Sequence, residues 1–506
     1  MIEKIKKSVL LSLVAAMVIS TFAPHASFAH ILTIDGGIVG GSQTSGLYEY
    51  EEVVFITGQP VRLRGLVNIP EVPQGRDNYR LSYQFDLTSP DGQVTLNRNV
   101  TYAIEKKQRG HVSQSLYTKN IVSYDETIET PQGTFELAAI DQLESRTYEH
   151  THAVDYFSGN LNGSRKYYLN GDFDNHEGVV FYSIQAHPII GYQHPWGSSE
   201  TQRIRYTIES YTGHESEIQN GLSPAWSGTV DVDLSTTEKV MFDFHTTTVQ
   251  NIPFREHATE HRRAENVLVY RYDLPMANNR RNTGTERVMQ DVLLSSRSLV
   301  APHIRDIGGH WAEHEIRFLT SLEVFDPSKS YFVPDAEISR LEFAKAMVVA
   351  VNGGPLPEPS RNDVQRRRRP GVETPFLDVK VDDPDYHYME YVRENGMMNG
   401  RNGYFKGDEP IMRAEAMAIM VRTLGIEKNA PAPPYQTSFR DDATIPEWAK
   451  DYIYMGHEVG LIRGSDGYIF PRRPLSKAET AVMIENYIYH LKDTINYDYR
   501  EKILAQ

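Results

Sequence analysis

A basic residue is followed two positions later by a glutamate at three places in the C-terminal third of the chain. The first pair opens a segment with helical periodicity, in which Phe343, Met347 and Val351 share one face. Free amides and the positive dipole end of a helix start attract anions, and arginine adds two parallel donors that match a carboxylate. Lysine lacks that fork, so the third site is expected to be the weakest. The basic residues are Arg340, Arg413 and Lys477. Surface salt bridges are the alternative explanation.

The glutamates of these pairs have a structural explanation. A serine precedes the first and third basic residues, and its spacing from the glutamate fits a capping box, in which hydroxyl and carboxylate satisfy amides of the first helical turn. In the second segment Met412 stands where the cap hydroxyl belongs. The residues predicted to cap the helices are Ser339, Glu342, Glu415, Ser476 and Glu479.

The three segments belong to a longer repeat with further fixed positions. An aspartate opens each unit, a tryptophan lies 29 residues before the basic residue in two copies, and a glycine lies 13 residues before it in two copies. So many constant offsets over three copies predict a repeat architecture. The positions are Asp306, Asp378, Asp441, Trp311, Trp448, Gly400 and Gly464.

This pattern resembles the S-layer homology family, whose unit runs from an aspartate through a Trp-Ala helix and a glycine-rich turn to an Ile-Thr-Arg-Ala-Glu helix start. The resemblance covers about residues 303 to 490. It implies a mainly α, pseudo-threefold prism of three helical repeats that binds secondary cell-wall polysaccharide, often at pyruvate-ketal sugars. It assigns that binding to the three basic residues, three aspartates, two tryptophans and two glycines named above. For the tryptophans, burial in the core of an amphipathic helix is the alternative.

The N-terminal half reads as β-strands. Leu81, Phe85 and their neighbours alternate with polar residues, and Pro90-Asp91-Gly92 then predicts a hairpin turn. Alternation recurs from Val230 to Leu234 and, after a predicted loop through Thr237, from Val240 to Phe244. We therefore expect an antiparallel, sandwich-like all-β domain in a multidomain chain.

The organisation along the chain follows from these patterns. A basic start, an apolar stretch and Ser27-Phe28-Ala29 predict a signal peptide, too short for the roughly 20 residues of a membrane span. The predicted segments are a signal peptide at 1–29, a β-rich domain at 30–275, a linker at 276–302, repeats at 303–352, 374–427 and 437–490, Pro-rich linkers at 353–373 and 428–436, and a tail at 491–506.

Composition excludes several classes of protein. The chain has no cysteine, so disulfides and thiolate metal sites are impossible, and its formal net charge of −15 argues against nucleic-acid binding. No stretch predicts a membrane span. We expect an exported protein of a Gram-positive envelope.

Three further features leave alternatives open. Asp172, Asp174 and Glu177 offer the oxygen ligands that calcium prefers but lack the helix-loop-helix layout, and no other cofactor is indicated. Histidines between His150 and His187 lack the spacing of a metal site. The run from Arg366 to Arg369 is either a solvated loop or a contact with anionic wall polymer.

The sequence as a whole predicts a wall-anchored surface protein with a binding role. Its expected partners are secondary cell-wall polysaccharide, pyruvylated if it follows the family, and other surface-layer proteins contacted by the β-domain. No nucleophile elbow, zinc-binding helix or phosphate loop indicates an enzyme. The alternative is an anchored extracellular hydrolase acting on polysaccharide or peptide.

Overall fold

The computed structural model describes residues 33–34, 36–44, 46–73, 76–109, 114–219, 221–245, 257–276, 280–369 and 373–494. The predicted signal peptide lies outside these residues. The N-terminal part is one antiparallel sheet in which each strand pairs with the next along the chain. The strands are β1 (Thr33–Ile34), β2 (Gly37–Thr44), β3 (Leu47–Val54), β4 (Val61–Asn68), β5 (Asn78–Thr88), β6 (Thr95–Arg109), β7 (Gln114–Thr130), β8 (Gly133–His150), β9 (Asp155–Leu169), β10 (Gly178–His194), β11 (Gly197–Thr212), β12 (Trp226–His245), β13 (His257–Met276) and β14 (Arg280–Ser298).

Strand β5 shows why the sheet forms where the sequence predicts it. Leu81, Tyr83, Phe85 and Leu87 are buried, while the residues between them are exposed, so one face of the strand packs into the core. Strand β6 pairs with β5 across the predicted turn. The prediction of an antiparallel all-β half followed by a mainly helical part is confirmed.

The strands form a single sheet rather than two separate ones, and the sheet curls until its ends meet. Near the start of the chain, the Val39 carbonyl accepts a hydrogen bond of 3.0 Å from Asn266 Nδ2 on β13. The hydroxyl of Tyr270, also on β13, donates to the Gly36 carbonyl at 2.9 Å and accepts from the Val53 amide at 3.1 Å. These side-chain contacts close the apolar core between β2, β3 and β13.

Buried ion pairs occupy part of the sheet interior. Both Nη atoms of Arg98 donate to the Glu52 carboxylate, at 3.0 and 2.9 Å, and those of Arg146 contact Glu200 at 2.8 and 3.0 Å. Each buried guanidinium therefore has a bidentate partner, which offsets its cost of desolvation. Two cavities beside these pairs, of about 30 and 50 Å³, have room for a few water molecules and none for a sugar ring.

Two predicted loops of this half are strands. The predicted linker at 276–302 is wrong for most of its length, because β14 occupies Arg280–Ser298 and pairs with β13. Strand β12 continues through Thr237, which is buried and pairs with Ser199 of β11 and Glu265 of β13. In both places the sheet neighbours supply hydrogen bonds that polar sequence alone does not predict.

In the helical part, a shorter helix followed by a longer one occurs three times. One further short helix lies within the sheet part. The helices are α1 (Glu215–Gln219), α2 (Glu313–Ser321), α3 (Arg340–Asn352), α4 (Arg361–Arg367), α5 (Tyr386–Glu394), α6 (Arg413–Leu424), α7 (Glu447–Glu458) and α8 (Lys477–Tyr489). The pairs α2/α3, α5/α6 and α7/α8 correspond to the three predicted repeats. No helix among the described residues has both the length and the apolar character needed to cross a membrane.

Two segments predicted to lack regular structure contain helix. The connector at 353–373 is not extended throughout, because Ser360 and Asp363 cap α4 reciprocally and allow a short helix after the prolines. The predicted tail at 491–506 begins too early, since a helical turn continues through His490–Thr494 and Leu491 is fully buried. The rest of that tail, from residue 495, lies outside the described residues.

One end of the sheet shares a hydrophobic core with the helices, while the rest of the sheet has a core of its own. Trp196, at the tip of the β10–β11 hairpin, is 1% exposed, and its Nε1 donates to the Ala350 carbonyl of α3 at 2.7 Å. The Phe242 ring of β12 meets the Phe318 ring of α2 edge-on, with centroids 4.9 Å apart. Beside them, the Ala153 amide donates to the Thr423 carbonyl at 3.0 Å. The two parts therefore pack as a continuous body and are not separated by a flexible linker.

Candidate functional site

A ring of backbone hydrogen bonds joins the three repeats at their centre. The Ile338 amide donates to the Leu475 carbonyl at 3.0 Å, the Leu475 amide to Ile411 at 3.1 Å, and the Ile411 amide to Ile338 at 3.1 Å. All three side chains are buried. The sequence positions just before each basic residue thus form the axis around which the repeats close.

The helix starts do not offer the free amides that the sequence analysis expects. The first two amides of α3, those of Arg340 and Leu341, donate to the Glu409 and Gly407 carbonyls of the second repeat at 2.9 and 3.0 Å. The equivalent amides of α6 and α8 bond in the same way to the next repeat. This part of the anion-binding argument is wrong, because neighbouring backbone has already satisfied these donors.

The predicted caps make the expected local hydrogen bonds. The Ser339 hydroxyl accepts from the Glu342 amide at 3.1 Å, and the Ser339 amide donates back to the Glu342 carboxylate at 3.3 Å. Ser476 and Glu479 repeat this arrangement at 3.1 Å in both directions. At the second helix only the carboxylate half forms, from the Met412 amide to Glu415 at 3.2 Å, because methionine has no hydroxyl.

Each basic residue also pairs with the capping glutamate of the next repeat. The three pairs are Arg340 with Glu415 at 3.1 Å, Arg413 with Glu479 at 3.3 Å, and Lys477 with Glu342 at 2.8 Å. The glutamates therefore cap one helix and hold the preceding repeat at the same time. A second arginine of its own repeat also contacts Glu415 and Glu479, namely Arg401 and Arg473, respectively.

Burial differs sharply between the arginines and the lysine. Arg340 and Arg413 are 4% and 8% exposed, and the Nε of each donates to a backbone carbonyl of the next repeat at 2.9 Å. The Lys477 side chain is 21% exposed and its partner Glu342 39%. Desolvation opposes ionisation of Glu342, but the ammonium of Lys477 outweighs it and lowers the pKa of the carboxyl. The arginines therefore lie inside the ring and the lysine lies nearer its surface, while the predicted order of anion binding stays a prediction.

The three aspartates brace the loops that lead into the long helices. Asp306 accepts from the Phe332 and Val333 amides, at 2.9 and 2.7 Å, and Asp378 and Asp441 accept equivalent amides. Partial burial opposes ionisation of Asp306, but these amides outweigh it and lower its pKa. Val333 has a φ of 57°, and its equivalents in the other repeats are also positive. The aspartates therefore hold a strained backbone turn.

The two glycines have a packing role in the same loops. A Cβ on Gly400 would lie 2.6 Å from the Tyr404 carbonyl, and one on Gly464 would lie 2.6 Å from the Tyr468 carbonyl. The tryptophans, by contrast, are at the surface: Trp311 is 63% exposed and Trp448 54%. Burial in the core, the alternative favoured by helical periodicity, is therefore wrong for both.

A groove of about 140 Å³ lies between the first and third repeats. Lys329, Lys345 and Lys477 line it together with Tyr331, which is 59% exposed. Lys345 pairs with Asp385 at 2.6 Å, whereas Lys329 forms no ion pair among the residues that the structure describes. An aromatic face beside several ammonium groups suits a sugar that carries a negative charge. The sequence offered one signal for this groove, because Tyr331 recurs as Tyr404 and Tyr468 at the same position of the other repeats. Lys329 and Lys345 were not predicted as site residues, because no such recurrence marks them.

Two glutamates with buried carboxylate oxygens lie where α2 packs against α8. Glu485 Oε1 and Glu315 Oε2 are buried and have no hydrogen-bond partner among the described residues. Burial, with the neighbouring charge of Glu315 as a second cause, raises the pKa of Glu485 to about 7. His314 Nε2 lies 3.8 Å from Glu485 Oε1. This seam joins the first and third repeats, and the raised pKa of Glu485 predicts that its contribution to stability depends on pH.

The acids proposed for calcium serve a turn of the sheet. Asp172 Oδ1 accepts from the amides of Asp174 and Asn175, and Glu177 accepts from the Asn170 side chain at 2.6 Å. Over the described ranges, no three His, Asp or Glu side chains gather in a way that could hold a metal ion.

A hydrogen-bonded relay that sequence spacing did not reveal lies at the end of the sheet nearest the helices. Ser115 Oγ lies 2.6 Å from His150 Nε2, and His150 Nδ1 lies 2.7 Å from Asp155 Oδ1. The order of groups is that of a serine hydrolase, but Ser115 is 0% exposed and cannot meet a substrate. The relay instead ties together β7, β8 and β9 beside the hairpin that contacts α6.

Comparison with known proteins agrees with this geometry. The S-layer homology domain model matches residues 303–344 and 375–417. Exoglucanase XynX of Acetivibrio thermocellus is 26% identical over 186 residues, which are 35% of this chain and 16% of that protein. Amylopullulanase of Thermoanaerobacterium thermosulfurigenes is 24% identical over 35% of this chain and 9% of its own length. The Surface-layer 125 kDa protein of Lysinibacillus sphaericus is 27% identical over 26% of this chain and 11% of its own length.

The chain thus spans less than a fifth of the length of each of these relatives. The third repeat lies outside the two matched segments but reproduces their ring contacts, from the Leu475 backbone to the Lys477 ion pair. Two segments of the C-terminal part, 303–344 and 375–417, match the S-layer homology domain, and this match indicates a location at the cell surface or cell wall.

Proposed function

We propose that the chain attaches to the cell wall by binding an acidic secondary polysaccharide in the groove between its first and third repeats. The observation that carries this proposal is the combination of an exposed tyrosine with three lysines around a cavity of about 140 Å³. Tyr331 supplies a face for a sugar ring, and Lys329 and Lys477 supply donors for a carboxylate such as a pyruvate ketal.

The charges of the three grooves differ in a way that favours this one. At the other two ring positions, the capping glutamate pairs with two arginines, one from each repeat, so both cations at each position already have a carboxylate partner. In the groove between the first and third repeats, Lys477 pairs with Glu342 and Lys345 with Asp385, whereas the exposed Lys329 forms no ion pair among the described residues. An exposed cation without an ion pair attracts an anionic ligand, while buried and paired guanidinium groups do not.

The test is binding of a short pyruvylated wall fragment to the full chain, measured by calorimetry. The double variant Lys329→Gln/Lys477→Gln should bind at least about tenfold more weakly, since each charge-assisted hydrogen bond contributes about 1.5 to 3 kcal/mol when partly desolvated. Arg401→Gln, which removes an exposed cation from another groove, is the matched control. Unchanged binding by the double variant, or equal binding of a fragment without the ketal, would refute the proposal.

For the β-domain we propose a structural or binding role in which it contacts other surface components. Its interior holds paired charges, and the two cavities beside those pairs have no room for a sugar. Two of the relatives are enzymes by name, but each is matched over at most 16% of its own length. Release of reducing sugar or peptide from purified wall by the full chain would refute this part of the proposal.

A further inference from the structure

The connector between the first and second repeats carries a helix that is fixed to the body of the protein. The helix α4 begins with reciprocal hydrogen bonds between Ser360 and Asp363. Near its end, Arg367 Nη2 donates to Glu390 at 2.7 Å, and its guanidinium lies 4.6 Å from the centre of the Tyr386 ring. The Arg367 side chain is only 11% exposed. Arg367 thus faces the body of the protein and fixes the orientation of α4, so that the neighbouring arginines lie on its other faces.

The other arginines of this segment point to solvent. Arg361, Arg366 and Arg369 are exposed, and none of the three forms an ion pair among the residues that the structure describes. Arg368 pairs with Asp382, but the two side chains are 61% and 74% exposed, so this contact is weak. We call these four residues the connector patch.

Helix stability does not account for the connector patch. A cation in the last turn of a helix is favourable, which would explain Arg366. Arg361, however, occupies the first position of α4, where the positive end of the dipole disfavours a cation, and Arg369 lies beyond the helix. This cluster of exposed positive charge contrasts with the chain as a whole, which carries −15. Such a reversal of sign creates a local site of attraction for a polyanion on a surface that otherwise repels it.

We propose that the connector patch binds a phosphate-bearing polyanion of the cell wall, as a second contact separate from the sugar groove. The location at the wall rests on the proposed function. Guanidinium groups pair with phosphate through two parallel donors, and several of them on one short helix can follow successive phosphates of a polymer. The contact is electrostatic and exposed, so it weakens as salt is added.

The experiment measures binding of fluorescently labelled inorganic polyphosphate to the full chain by anisotropy at low and physiological salt. The triple variant Arg361→Gln/Arg366→Gln/Arg369→Gln should bind roughly tenfold more weakly at low salt and show a smaller salt dependence. The matched control is Arg76→Gln/Arg80→Gln/Arg287→Gln, which removes three exposed arginines of the β-domain and changes the net charge equally. Equal losses in the two triple variants would overturn the proposal.

The groove variant Lys329→Gln/Lys477→Gln separates this inference from the proposed function. It should keep polyphosphate binding, and a loss equal to that of the connector variant would place the polyanion in the groove and overturn the inference. Conversely, if the chain does not bind the pyruvylated fragment but binds polyphosphate through the connector patch, only the proposed function is refuted.

Discussion

Replacing Arg340 by alanine should destabilise the helical part by about 3 kcal/mol. The side chain is 4% exposed and makes two contacts with the second repeat, to the Phe405 carbonyl at 2.9 Å and to Glu415 at 3.1 Å. Removing one partner of a buried ion pair costs about 3–5 kcal/mol. Glu415 retains Arg401 at 2.6 Å, so its charge stays compensated and the expected cost lies at the lower end of that range.

Lys477→Ala is the matched comparison, because it removes the equivalent pair of the third repeat. That pair is exposed on both sides, with side-chain exposures of 21% and 39%, and should contribute about 1 kcal/mol or less. Urea unfolding followed by far-ultraviolet circular dichroism gives both free energies of unfolding. Equal losses in the two variants would refute the reasoning, since the same ring position would then contribute equally whether buried or exposed.

Two further predictions concern contacts between elements. Trp196→Ala removes the largest buried side chain between sheet and helices and should lower the free energy of unfolding by about 3–5 kcal/mol. In calorimetry, the single unfolding transition should split into two, and Trp196→Phe should have a smaller effect. A single transition at the original temperature in Trp196→Ala would contradict the shared core. The raised pKa of Glu485 means that the folded chain binds more protons than the unfolded one between its ordinary pKa of 4.5 and about 7, so stability falls as pH rises through that interval. Glu485→Gln should therefore match the parent chain in urea midpoint near pH 4 and exceed it at pH 8, and a constant difference between them at all pH values would exclude this origin.

Local patterns predicted the elements that depend on local geometry. The alternation around Phe85 and the turn at Asp91 gave a buried strand and its hairpin, because side-chain direction in a strand follows directly from sequence position. The constant spacing of the repeat predicted the three helix pairs, because each copy has the same local pattern. Thr237 and the segment from Arg280 were predicted as loop and linker because their residues are polar. Both belong to strands whose hydrogen-bond partners lie on other strands of the sheet, so local pattern does not reveal them.

The sequence singled out residues that lie in the ring of repeats, but it did not predict the contacts that they make there. Arg340 and Glu415 are 75 positions apart, and nothing local to either indicates that closure of the ring will bury their pair. The amides at the helix starts look free in a single repeat and become bonded only when the next repeat adds its carbonyls. The exposure of Trp311 likewise depends on how neighbouring repeats pack, which helical periodicity does not record.

If the groove holds a wall polymer, the contact between sheet and helices lies on the path by which force on that polymer would reach the sheet. Pro195 and Thr151 of the sheet lie against Gly353 and Gly425, the residues that end α3 and α6, whereas the groove lies at the opposite ends of the long helices. At 1.5 Å per residue, helices of this length separate the two ends by about 20 Å. Force on a polymer bound in the groove would therefore be transmitted along the axes of the long helices before it reached the sheet. Trp196, buried between the sheet and the C-terminal end of α3, would be one of the side chains that carry this force.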